Sequence, residues 1–347
     1  MIDKQKFNQA LISWYDQSKR ILPWRDNPNP YHVWVSEIML QQTRVEAVIP
    51  FFNRFIKEVP KVEELAKIDD DRLNKLWEGL GYYSRARNLK KAALIIVNEF
   101  DGLIPSNQEA LESLPGIGSY TSGAILSIAY NKAYTAVDGN VLRVFARILA
   151  NKGNIKDPSV KKEIRFVVSS ILPKSRIGDY NQALMEIGAT VCKPNGNPDC
   201  LNCPLISFCE ANKNDLLAVI PLKQVKKKRR KEEKTVFVLN YNNKFAIERR
   251  PNNGLLAGLY QFPNVDGHMT AAEVRNQFPH HKSIKIISSS KHIFSHIEWY
   301  MNGYYIELLE PLDSYIFINK EDIELTYSIP TAFKTYKQFI KEDYYEL

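Results

Sequence analysis

The chain has 347 residues, 44% of them hydrophobic, enough to bury two separate cores. No apolar run is long enough to span a bilayer, and the opening MIDKQKFNQALISWYDQ lacks the charged-then-apolar order of a secretory leader, so a soluble, cytoplasmic chain is expected. The net charge of +8 points to an anionic partner, but residues 223–234, KQVKKKRRKEEK, hold eight bases and two acids and carry +6 of it. Charge runs are commonly just solvated, so composition by itself is weak evidence for nucleic acid.

In chain order, the region up to about residue 210 reads as helices joined by short loops. Helical periodicity marks 33–58, 61–79, 86–99, 107–114, 120–130, 140–150 and 159–171. In PSNQEAL, Ser106 precedes Glu109 by three residues, the pattern of a capping box. Past the basic segment the period changes to two. TVFVLNYNNKFAIERR reads as strand, Asn-Asn turn and strand; TAAEVRNQF reads as a helix; SIKIISSSKHIFSHIEWYMNGYYIELLE holds two or three further strands. The expected architecture is multidomain: an all-α region over 1–222, a basic linker over 223–234 and a small α+β domain over 235–347.

All four cysteines, Cys192, Cys200, Cys203 and Cys209, fall in one short loop, CKPNGNPDCLNCPLISFC. An intracellular chain does not spend such a cluster on disulfides, so the loop reads as one metal centre. Zinc favours two C-x2-C pairs with a longer spacer. A single pair with unequal flanks suits a four-iron four-sulfur cluster better, with zinc as the alternative. Four protein ligands leave no open position for substrate, which makes the site structural.

In LESLPGIGSYTSGAILSIAY one helix ends near Leu114 and another begins near Ser119. Gly116 and Gly118 supply backbone freedom and leave amides unobstructed at the positive end of the second helix, a seat for a phosphate oxygen. The alternative is a plain helix–turn–helix corner. Twenty residues beyond Gly118, AVDGNVLRV places Asp138 at a helix start, where an N-cap is the ordinary role. Glu37 shares its helical face with Val33, Trp34, Leu40 and Gln41, a mostly apolar setting that raises a carboxyl's pKa and keeps it protonated.

The pairing of LPGIGSYTSGAI with VDGNVLRV resembles the helix–hairpin–helix DNA glycosylases. The likeness sharpens to the MutY-type adenine DNA glycosylases through LPWR, VSEIMLQQTRVE (35–46), GLGYYSRARNL (79–89), the cysteine loop and FSH (294–296). It spans nearly the whole chain. One departure is the first cysteine interval, seven residues here against six in the family, which bears on local loop geometry.

The resemblance implies roles for residues that composition and spacing leave open. Glu37 would protonate the adenine ring and help activate water, and Asp138 would stabilise the oxocarbenium ion or its covalent adduct. Tyr120 and Asn140 would support the sugar and the aspartate. Arg25 would line the adenine pocket, and Gln42 and Tyr82 would enter the duplex once adenine is flipped out. Without the likeness, Tyr82 and Tyr83 read as ordinary core aromatics. RRPNNGLLAGLYQFP and its hairpin resemble the Nudix fold. A working Nudix hydrolase needs a glutamate-dense helix, and here that helix offers only Glu273, so the domain is expected to bind and not hydrolyse. Phe294, Ser295 and His296 would then sit at the 8-oxoguanine.

The implied protein is a monomer acting on double-stranded DNA with an A:8-oxoguanine or A:G mispair, carrying a [4Fe–4S] cluster. Three other readings compete. An endonuclease III-like enzyme that also cuts the strand would carry a nucleophilic lysine where this chain has Tyr120. A metal-stabilised DNA-binding protein would need neither Glu37 nor Asp138. A Nudix nucleotide hydrolase lacks its acidic helix.

Overall fold

Phe7, Leu11 and Tyr15 recur every four residues and are all buried, which makes α1 (Lys4–Ser18) an amphipathic helix; Asp3 caps it by accepting from the amides of Gln5 and Lys6. This helix opens a computed structural model that describes residues 2–194, 197–222 and 228–342. The chain divides into two compact units, Met1–Lys67 with Arg87–Val225, and Ile68–Ala86 with Lys226–Leu347. No helix among the described residues is long and apolar enough to cross a membrane.

In the first unit α2 (Pro23–Asp26) and α3 (Pro30–Leu40) both open on a proline, whose missing amide costs nothing at that position. Val33 to Met39 are all buried, so α3 runs through the interior. It stops where Gln42 takes φ +62°, and α4 (Val45–Glu58) follows, so the single helix expected over 33–58 is two. No glycine or proline signals that break in the sequence. The stretch 61–79 likewise divides, into α5 (Val62–Lys67) and α6 (Asp70–Leu76), with Asp69 capping the second. α6 belongs to the other unit, and α7 (Ser84–Glu99) spans the boundary between them.

The hairpin consists of α8 (Gln108–Ser113) and α9 (Ser119–Ala124), the latter continuing as a π turn over Ile125–Ala129. The expected capping box does not form. Asn107, one residue later, places its Oδ1 2.9 Å from the Ala110 amide, while the Ser106 hydroxyl lies 3.1 Å from Lys132 Nζ. α10 (Gly139–Ile148), α11 (Pro158–Ser170), α12 (Ile177–Thr190) and the short α13 (Glu210–Lys213) complete the unit. Its core joins α1 to α10, α11 and α12 through Phe7, Tyr15, Phe145, Val168, Tyr180 and Ile187.

The second unit is built on a mixed sheet of β1 (Arg230–Tyr241), β2 (Lys244–Arg249), β3 (Tyr260–Gln261), β4 (Asn264–Asp266), β5 (His281–Ile293), β6 (Ile297–Leu308) and β7 (Ile316–Ile318). The order is β3-β2-β1-β6-β5, with β4 paired to β1 and β7 to β2; β1 and β6 run parallel. The β1–β2 hairpin turns at Asn242 and Asn243, both at positive φ, as the Asn-Asn pair predicts. Alternation sends Val236 and Val238 to one core and Phe237 and Leu239 to another, so the sheet is buried on both faces. α14 (Ala271–Gln277) covers the second face; α15 (Lys320–Leu325) and α16 (Lys334–Lys341) cover the first. Because β1 begins at Arg230, the end of the segment read as linker is strand; residues 223–227 lie outside the described residues.

α9 approaches the 133–137 segment so closely that a Cβ on Gly123 would stand 2.2 Å from the Thr135 carbonyl oxygen. Backbone cannot yield as a side chain can, so Gly123→Ala is expected to cost about 2 kcal/mol, read as a lowered midpoint of the helical unit's thermal transition.

Candidate active site

α3, the hairpin and the start of α10 converge on a cavity of about 890 Å³, lined by Glu37, Tyr120, Asp138, Asn140, Arg25 and Glu186 among others. That volume is in the ordinary range for a small-molecule site. Glu37 is 6% exposed. The Tyr120 hydroxyl donates to Glu37 Oε2, and it also lies 3.6 Å from Met185 Sδ. Burial pushes the Glu37 carboxyl up to about 7, against the pull of the Tyr120 hydrogen bond and the Arg25 charge. Burial likewise holds the Tyr120 phenol far above its usual range, so it stays a donor. With Oε2 accepting from Tyr120, a proton on Glu37 belongs on Oε1.

Asp138 caps α10 as its position predicts, with Oδ1 2.8 Å from the Val141 amide. Its Oδ2 accepts from Asn140 Nδ2 at 2.7 Å. Burial raises the Asp138 pKa, and the Val141 and Asn140 hydrogen bonds pull it back. The orientation of Asn140 is set from behind, because Arg143 Nη2 donates to Asn140 Oδ1 at 2.9 Å and to the Gly188 carbonyl at 2.7 Å. Arg143 Nε donates to the Cys192 carbonyl at 2.9 Å. α12 passes so near that a Cβ on Gly188 would lie 2.5 Å from Asn140 Cβ. Neither Arg143 nor Gly188 was legible beforehand. The only clue is that Arg143 lies three residues past Asn140, on the same helical face.

Arg25 lines the cavity and is held there by a partner that carries no sequence signal. Glu186, 1% exposed on α12, accepts from Arg25 Nη2 at 2.8 Å and from Arg20 Nε at 2.5 Å. Although burial opposes it, the hydrogen bonds from Arg20 and Arg25 hold the Glu186 carboxyl below its usual range. The wall of the cavity is therefore a buried, compensated ion cluster.

The remaining sequence-predicted residues divide by unit. Gln42, at positive φ, lines the same cavity. Gly116 has φ +83°, and a Cβ there would crowd Asn88, so glycine is required. Gly118 is different. Its φ of −111° suits any residue and a Cβ would meet nothing, so its contribution is open space before the amides of α9. The four cysteines line one small cavity between α10, α12 and their loop, with Arg147 Nη1 3.1 Å from Cys192 Sγ. Part of the longer first cysteine interval, residues 195–196, lies outside the described residues.

In the second unit, Tyr82 is 52% exposed and at positive φ, and its hydroxyl lies 3.0 Å from that of Ser295. Ser295 and His296 are exposed at the β5–β6 turn. Phe294 is half-buried, edge-on to His292 and Trp299, and anchors the turn. Tyr83 is buried, as a core aromatic would be. Glu273 closes a capping box with Thr270, so the lone acid of that helix is already engaged.

Between its ordinary value of 4.5 and about 7, Glu37 holds a proton in the folded chain that the unfolded chain has lost, so stability falls as pH rises through this window. Glu37→Gln keeps the acceptor for Tyr120 and removes the charge. Urea denaturation is expected to find the variant more stable than the parent by up to about 3 kcal/mol at alkaline pH, with no such gain at acid pH.

Residues 35–169 match the model of the HhH-GPD superfamily of base excision DNA repair proteins, and residues 235–338 match the NUDIX domain. The chain is 38% identical over 303 residues to an adenine DNA glycosylase of Buchnera aphidicola subsp. Baizongia pistaciae, covering 86% of each. It is 36% identical over 313 residues to the human adenine DNA glycosylase, covering 75% of this chain and 57% of that protein. Among solved structures, a thermostable thymine-DNA glycosylase superposes with a TM-score of 0.56 at 26% identity, over 61% of this chain and 97% of the other. A non-covalent endonuclease III–DNA complex, at 23% identity, 62% and 99% coverage and a TM-score of 0.53, shares the helical fold. The buried carboxyl–phenol pair thus stands in a helical scaffold of base excision repair, joined to a Nudix-like sheet, and the chain belongs to the adenine DNA glycosylase family, hydrolases that act on the N-glycosidic bond of adenine in DNA.

Proposed function

We propose that this enzyme removes adenine mispaired with 8-oxoguanine or guanine and stops at an abasic site. The observation that carries the chemistry is the shared cavity of Glu37, Tyr120 and Asp138. Glu37, about half protonated near neutral pH, donates a proton in its acid form to a ring nitrogen of the flipped adenine as the bond from the base to C1′ breaks. The bond's electrons leave with the base, and positive charge develops on the sugar. Asp138, held by Asn140 and the Val141 amide, offers a carboxylate to that charge. Water then adds at C1′, passing its proton to the carboxylate that Glu37 has become. Tyr120 is a phenol and no amine nucleophile, which supports base release without strand cleavage.

Gly116 and Gly118 present the hairpin amides to a backbone phosphate. Gln42, beside the cavity, and Tyr82 enter the duplex, and Arg25 with Glu186 forms the adenine wall. An oxidised guanine differs from guanine by a C8 carbonyl and an N7 hydrogen, so an acceptor is gained at C8 and N7 turns from acceptor to donor. The paired hydroxyls of Tyr82 and Ser295 can meet both, with His296 exposed alongside.

Cys192, Cys200, Cys203 and Cys209 would hold a [4Fe–4S] cluster. The chemistry of the donor set supports this: four thiols line one apolar cavity, although among the described residues they are not drawn together as a metal-holding group, and the Arg147 guanidinium beside Cys192 Sγ would compensate thiolate charge. Bound there, the cluster would serve as a structural cross-link of the terminal loop.

A duplex with adenine opposite 8-oxoguanine is expected to yield free adenine and an abasic site, and no adenine release would end this reading. Borohydride is expected to trap no covalent complex at the rate of base release. The rate should fall as pH rises through about 7, as Glu37 ionises. Tyr120→Phe removes the hydrogen bond that stabilises ionised Glu37 and should move that limb to higher pH while lowering the rate. The purified protein is expected to show broad iron–sulfur absorbance in the visible range; a colourless, zinc-containing, fully active preparation would overturn the cluster assignment.

A further inference from the structure

Residues 68–86 leave the helical unit in sequence but cluster with the C-terminal strands and helices. The polar group at the centre of this attachment is Glu78, whose side chain is 18% exposed. Its Oε2 accepts from Lys75 Nζ at 2.6 Å, and its Oε1 accepts from Lys337 Nζ at 3.1 Å and from the Ile329 amide at 3.3 Å. Lys75 Nζ also reaches the carbonyls of Tyr327 at 3.1 Å and Ile323 at 3.4 Å. Burial pushes the Lys75 ammonium below the ordinary lysine range, and Glu78 is the partner that keeps it charged.

Directly after Glu78 the chain makes a left-handed turn. Gly79, Gly81 and Tyr82 have φ of 105°, 69° and 49°. Trp77 Nε1 donates to the Gly81 carbonyl at 3.2 Å, and Arg85 Nη2 donates to the carbonyls of Leu80 and Gly81. The turn is thus a rigid cassette with Tyr82 at its tip. A half-exposed ring at positive φ is not held by its own burial; its position follows from whatever fixes the base of the turn. That base is Glu78, tied to α16 through Lys337.

We propose that Glu78 is a specificity-positioning residue: by fixing the 77–86 turn to the C-terminal helices it sets Tyr82 against Ser295, and so governs discrimination between 8-oxoguanine and guanine opposite the adenine, while leaving the adenine chemistry alone. The inference rests on the reading of Tyr82 and Ser295 as contacts to the opposite base. Removing the carboxylate leaves two ammonium groups, Lys75 and Lys337, with Glu324, 3.7 Å from Lys337 Nζ, as the one acid still paired to them among the described residues, and this imbalance drives the turn off its seat.

Two measurements on the full-length chain test it. In single-turnover assays Glu78→Gln is expected to lower the ratio of adenine release from A:8-oxoguanine over A:G by about fivefold or more, with the A:G rate within about twofold of the parent. Adding Lys337→Gln removes the charge imbalance and should restore part of the ratio. In hydrogen–deuterium exchange without DNA, Glu78→Gln should raise exchange in residues 79–83 and leave the α3 and α10 amides as in the parent. An unchanged ratio, equal slowing on both substrates, or unchanged exchange over 79–83 would overturn the proposal. If the parent itself shows no preference for 8-oxoguanine, the opposite-base reading fails, and the exchange measurement still decides whether Glu78 holds the turn.

Discussion

A single buried contact, the hydrogen bond from Tyr120 to Glu37, organises the helical unit. A buried carboxyl on the same helical face as Val33 and Trp34 is costly to ionise, and the cost is offset only where a donor reaches it. That donor comes from the hairpin some eighty residues later, so α3 and α9 must pack in one register for either group to be satisfied. The same desolvation that weakens the fold at alkaline pH supplies an acid that is half-protonated near neutrality. Stability and chemistry at this point are two consequences of one environment.

Behind the pair, α10 acts as a rail between cavity and cysteine loop. Asp138 caps its start, Arg143 braces Asn140 one turn on, and Arg147 reaches Cys192 Sγ one turn further. Arg143 also ties down the Gly188 and Cys192 carbonyls, so α12 and the loop share the donors that orient the Asn140 amide. A cluster held by the four cysteines would therefore be structural in a specific sense. It would fix the far end of the helix whose near end carries Asp138.

The C-terminal unit solves a different problem. Its sheet is covered on both faces, which leaves its turns and edges as the uncovered parts. The β5–β6 turn exposes Ser295, and residues 68–86 bring Tyr82 to it. A segment inside the region matched to the glycosylase superfamily thereby clusters with the strands of the Nudix-like unit.

Local chemistry made much of this legible in the chain. The period change past the basic segment, the Asn-Asn turn, the cap at Asp138 and the apolar neighbours of Glu37 all depend on residues close in sequence, and all appear where expected. Features set by a distant neighbour did not show. Asn107 caps α8 in place of Ser106, whose hydroxyl accepts from Lys132 instead. Gln42 broke a helix without any breaker residue, and Gly118 proved to matter for space and not for backbone angle. Glu186 looks like any helical glutamate until Arg20 and Arg25 fold onto it, and the 68–86 segment gives no local sign of its allegiance. Periodicity and capping are written within one or two turns of chain, whereas the pairing of buried charges is decided by which elements meet, and that is where this enzyme sets its protonation states.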